Sequence, residues 1–192
     1  MNKLIFLLLL SATVALADTP PTFSATVSST WTDDSATETT GSLSWTNGDV
    51  VVCVGATEDQ ATTQGTPTTA GSGLTFASLV TSDGSANNTR AYSWKGTASA
   101  TSSGTITLTN TGGATKYAGL SCFAMTGSAG TGITAVQNGS TTLKAISLAR
   151  ASNNSAVISV IADWSAKALG THGTDPVTAG TEVQAARDSG GA

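Results

Sequence analysis

The sequence is poor in the groups on which most enzyme chemistry depends: one histidine, two cysteines, and charged side chains at only 10% of positions. A Ser–His–Asp or Cys–His device would have to use His172, whose nearest carboxylate is Asp175 in THGTDP. No G-x-S-x-G elbow precedes it, and the surrounding Gly, Thr and Pro read as an exposed loop. One histidine and two cysteines in apolar runs also fall short of a zinc ligand set. Lysine and arginine are scattered, so a phosphate backbone finds no counter-charge and nucleic acid is excluded as a partner. AGTGITA (129–135) fits G-x-G-x-x-A, but β- and turn-like residues follow where a phosphate-binding helix would have to start. Disorder requires low hydrophobicity together with high charge, and here hydrophobics make up 39%. What remains is a Thr/Ser/Gly-rich, charge-poor chain of net charge −4, the composition of an extracellular β domain.

The first residues, MNKLIFLLLLSATVALADTPP, carry Lys3, an apolar run to about Ala17, and an A-x-A site at Ala15 and Ala17. This is the three-part pattern of a secretory signal peptide over residues 1–17. The run is shorter than the ~20 residues a spanning helix needs. The expectation is export without a membrane span after cleavage, to the periplasm, cell surface or medium. Residues 18–192 then form a single domain.

Helical periodicity is nearly absent beyond this point, and short β-type runs alternate with Gly, Asn, Asp and Ser. Strands are expected near 23–30, 41–45, 49–55, 74–81, 89–96, 105–110, 117–125, 133–137, 155–163 and 181–186. The ambiguous segment 143–151 is read as a strand too. The fold class expected is all-β, an antiparallel β-sandwich of jelly-roll or Ig-like type. Leu43 and Trp45 alternate with Ser42, Ser44 and Thr46, while Val50 to Val54 are apolar on both faces, as in a central strand. Asn47-Gly48 between them predicts a hairpin pairing 41–46 with 49–54, and Asn138-Gly139 predicts another. TEVQAA followed by ARDSGGA predicts a further, returning strand, so the domain is expected to be truncated at its C-terminal end.

Cys53 and Cys122 both fall mid-strand. In an exported chain an even pair points to a disulfide, while two buried thiols that pack as small hydrophobes are the other reading. Spacing leaves both open. The tryptophan that follows the first cysteine closely in immunoglobulin domains has no counterpart, since Trp94 lies well beyond Cys53. Trp45 and Trp94 read as core. Trp31 and Trp164 neighbour Asp33, Asp34 and Asp163, and an indole beside polar groups suits the apolar face of a sugar ring. These five residues are the candidate ligand site. Acids at strand ends, in TDDSATE, TED, SDG and AD, are oxygen donors of the kind calcium takes, without the spaced pattern of a calcium loop. No cofactor beyond that calcium is expected, no metal site is placed, and no catalytic pair of acids is set by a motif.

NGDVVVCVG, TRAYSWKGTASATSSGTITLT, YAGLSCFAMTG, VISVIADWSA and EVQAARDSGG occur in an order that resembles a loose group of bacterial and tailed-phage β-sandwich proteins. The matching positions are Gly48-Asp49, Trp94-Lys95, Thr105 to Thr109 and Asp163-Trp164. Members are largely uncharacterised, and some are associated with virions or cell surfaces. The resemblance implies no catalytic residue. With no motif-placed catalytic group beside a full set of strands, the function expected is a non-enzymatic exported surface or virion-associated module, structural or adhesive, with cell-surface glycans or other structural subunits as partners. The alternative is a carbohydrate-binding module stabilised by calcium.

Overall fold

The computed structural model describes residues 21–29, 32–33, 36–57, 63–83, 90–111, 117–128 and 158. Among the described residues the chain is all-β, with ten strands and no helix. They are β1 (Thr22–Ser28), β2 (Thr32–Asp33), β3 (Thr37–Trp45), β4 (Val50–Thr57), β5 (Thr63–Gln64), β6 (Thr68–Thr69), β7 (Phe76–Asp83), β8 (Arg90–Thr97), β9 (Ser102–Thr111) and β10 (Tyr117–Thr126). The larger sheet runs β1-β10-β4-β8-β7, with β2 also on β10. The smaller runs β3-β9-β5, with β6 also on β9. Every pairing is antiparallel.

Alternation explains the packing. Val51 and Cys53 of β4, Tyr92 and Trp94 of β8, and Leu120, Cys122 and Ala124 of β10 meet Leu43, Trp45, Ile106 and Leu108 of the smaller sheet in one buried core. The intervening residues of β4 and β10 form a second apolar cluster on the other face: Val50, Val52, Val54, Phe123 and Met125, with Ile158 packed against it. The larger sheet is therefore covered on both sides, which is why Val50 to Val54 read as apolar throughout. A strand of that kind is stable only in the middle of a sheet, and β4 lies between β10 and β8.

That placement corrects the expected hairpin. Asn47-Gly48 is a turn, with Asp49 N donating to Thr46 O at 3.0 Å and Gly48 at φ 91°. The strands it joins do not pair with each other, however. β3 pairs with β9 in the smaller sheet, and β4 belongs to the larger, so the turn carries the chain from one layer to the other. The φ at Gly48 belongs to the left-handed region that β-branched residues avoid. A Cβ there would meet nothing within 4 Å, so substitution adds conformational strain and no clash. Gly48→Val is expected to cost about 1–3 kcal/mol, read as a lowered melting temperature. An unchanged melting temperature would contradict this backbone geometry.

Bulges set which residues face inward. In β3 the register shifts between Thr39 and Ser42, so Glu38 and Thr40 point inward before the shift and Leu43 and Trp45 after it. The Thr40 hydroxyl repairs the ladder there by accepting from Ile106 N at 3.0 Å. A second bulge, between Phe23 and Ala25 in β1, brings Phe23 edge-on to Phe123 while Ala25 and Val27 turn to the core. The predicted signal peptide, the second Asn-Gly turn, the truncated C-terminal end and the segments 133–137, 143–151 and 181–186 lie outside the described residues. So does 155–163, apart from Ile158.

Candidate functional site

The turn at residues 46–49 is held at several points, and an open cleft forms beside it. Asp49 is buried, and one carboxylate oxygen accepts from Thr46 N at 2.9 Å, closing a side-chain bridge across the turn. Gly48 N donates to Ala98 O, Ala98 N to Asp49 O, and Asn47 N to the Thr101 hydroxyl at 3.0 Å. These bonds tie the turn to the segment that leads into β9. Trp45 packs inward with its Nε1 donating to Ser72 O at 3.3 Å. The resulting cleft has a volume of about 410 Å³. It is lined by the Trp45 and Asp49 side of the turn, by Ser24 and Ala25 of β1, and by Ser44, Thr46, Thr101, Ser102 and Ser103. Chemically its accessible groups are hydroxyls, while the Trp45 indole and the Asp49 carboxylate are buried behind the wall.

The cleft opens beside the outer face of the smaller sheet. There the register places Thr37 opposite Thr109, Thr39 opposite Thr107, Ser42 opposite Thr105 and Ser44 opposite Ser103. Thr68 of β6 stands on the far side of Thr107. These residues are exposed or half-buried, and every one carries a hydroxyl. The Thr39 and Thr107 hydroxyls are 3.1 Å apart and hydrogen-bonded. The last rung, Ser44 with Ser103, is also part of the cleft wall.

No protein-family model, curated protein or solved structure matches this chain.

Of the five residues singled out from the sequence as a ligand site, Trp31, Asp34, Asp163 and Trp164 lie outside the described residues. Asp33 ends β2, opposite Tyr117 of β10. The two cysteines are brought together: Cys53 and Cys122 face each other across β4 and β10 with Cα atoms 4.1 Å apart and are joined as a disulfide. The bridge links neighbouring strands of one sheet, whereas the immunoglobulin bridge crosses between sheets. Trp45 and Trp94 are both core residues, each 2% exposed. Among the described residues no three of His, Cys, Asp and Glu converge as a metal site would require.

Sequence reading missed a polar pocket of the interior at the end of the sandwich away from the cleft. Glu38, at the end of the acidic stretch TDDSATE, is buried inside β3. Thr57 and Gln64 are also buried, and Thr57 Oγ1 and Gln64 Oε1 have no hydrogen-bond partner among the described residues. Gln64 Nε2 reaches across to Ala56 O at 3.5 Å, so β5 is stitched to β4 of the opposite sheet. Two enclosed oxygens of this kind are the usual setting for a buried water. Gly55 leaves room for the amide, since a Cβ there would meet Gln64 Oε1 at 2.8 Å.

Proposed function

We propose that this protein is a non-enzymatic exported module, structural or adhesive, that meets neutral glycans at a cell or virion surface. The observation that carries the reading is the cleft beside the 46–49 turn. Its hydroxyls are mounted around a turn that Asp49 and the backbone hold from behind, between two sheets. A pocket of this size with a few convergent hydroxyls suits one or two sugar rings. Rigid mounting favours it further, because little side-chain freedom is lost when a ligand arrives.

The mature chain is expected to retain neutral mono- or disaccharides on a glycan array, and Ser103→Tyr, which fills the cleft from an exposed position, should abolish the signal. An array without any neutral-sugar signal for the wild-type protein would remove the glycan reading and leave a purely structural module.

A further inference from the structure

We propose that the hydroxyl-bearing face of the smaller sheet extends the cleft into a groove-free platform for one chain of a neutral polysaccharide, lying along the β3–β9 rungs. The inference rests on the glycan reading above and names its ligand class: a polymer instead of a free sugar.

Three observations carry it. First, the face and the cleft are continuous, because the Ser44–Ser103 rung belongs to both. A sugar seated in the cleft thus has its next units directed over Ser42–Thr105 and then over Thr39–Thr107. Second, the face is rich in hydroxyls: all eight residues of the four rungs and Thr68 carry one, and exposed Ala70 alongside Thr105 is uncharged. Hydroxyls both donate and accept, which matches the ring hydroxyls of a neutral glycan and gives nothing to sulfate, phosphate or uronate groups. Third, the bulge in β3 maintains the pattern. An extra residue between Thr39 and Ser42 would otherwise turn Glu38 or Leu43 outward, and the shift keeps both buried while the hydroxyls stay out.

Geometry fixes the scale. From Ser103 to Thr109 the regular strand advances about 3.4 Å per residue, so the platform is roughly 20 Å long, with about 4.8 Å between the two hydroxyl rows. That is long enough for several sugar units and too wide in contact for one. Individual hydroxyl contacts are weak because each displaces water, so appreciable retention requires many of them at once, as a polymer provides.

The test compares retention of the mature protein on immobilised cellulose, mannan and dextran with its binding to the corresponding disaccharides. The double variant Thr39→Val/Thr107→Val removes two hydroxyls with little change of shape, and a single Thr105→Lys variant places a charge mid-face. Each variant is checked by circular dichroism and melting temperature. Expected is retention of the wild type on at least one polymer at least tenfold stronger than its disaccharide binding. The double variant should lose at least tenfold on the polymer and keep its disaccharide affinity. Disaccharide binding with no polymer gain would overturn the platform while leaving the cleft reading intact. Unchanged polymer retention in both folded variants would overturn it as well. Wild-type adsorption to ice crystals without retention on any polysaccharide would show that the array meets a different hydroxyl lattice, and would also overturn it.

Discussion

Trp94→Ala is expected to remove about 3–5 kcal/mol of stability, the range for emptying a large aromatic from a packed core. The indole is 2% exposed and stacks on Tyr92, with centroids 5.7 Å apart and planes 5° from parallel. It lies opposite Cys53 in the β4–β8 register, beside the disulfide, and its edge fills the space above Gly55. No neighbour named here is a flexible side chain able to close the void, so collapse around it is limited. Since small domains hold only ~5–15 kcal/mol in total, the variant should melt far below the wild type or fail to fold at 37 °C. Urea denaturation followed by far-ultraviolet circular dichroism measures the shift. A loss below about 1 kcal/mol would mean that the ring is outside the core.

Removing the Cys53–Cys122 bridge is the second large effect. The cysteines are separated by 69 positions, and the chain-entropy treatment assigns roughly 4 kcal/mol to closing a loop of that size. Both positions are fully buried between the sheets, so Cys53→Ala/Cys122→Ala adds a packing loss to the entropic one. Oxidised protein, denatured without reductant, is expected to take up no thiol label, and label only after reduction. Two thiols labelled before reduction would show that the cysteines pack side by side without a bond. The double alanine variant should have a lower urea midpoint than the oxidised wild type, and lower also than the reduced protein, which keeps both sulfurs in the core.

How much of this was legible in the sequence depends on what each signal reports. VVVCVG announces burial on both faces, and β4 is flanked on both edges and covered on both faces. Asn47-Gly48 announces a turn, and the turn exists. The dipeptide sets backbone angles at two residues and carries no information about whether the flanking strands bond to each other. That choice is made by the apolar faces. Leu43 and Trp45 need one sheet to pack on, while Val50 to Val54 need a sheet with two covers. The beginning of β3 was hidden because the bulge at Thr39–Ser42 breaks the two-residue period, leaving Thr37 to Thr40 and the buried Glu38 to look like part of an acidic stretch. β5 and β6 are two residues each, too short to show any period. TITLTNT displays its alternating hydroxyls openly, but that they stand opposite those of β3 is a long-range pairing which local sequence does not encode. The same holds for the cleft, whose walls come from three separate stretches.

The strand order also dictates a timetable. Of all the pairings among the described strands, only β7 with β8 joins neighbours along the chain. The others span longer distances, from Thr57 with Arg90 to Thr22 with Thr126. A hairpin such as β7–β8 zips in microseconds, but loops of this length must be closed before the remaining ladders repay them, which places folding in the millisecond-to-second regime. β1, the first strand made, finds its partner only when β10 is complete. Until Thr126 is free to move, Ala25 and Val27 have no strand to lie against, and the nascent molecule presents an open ladder along β1 that only its own later residues, or another chain arriving first, will close.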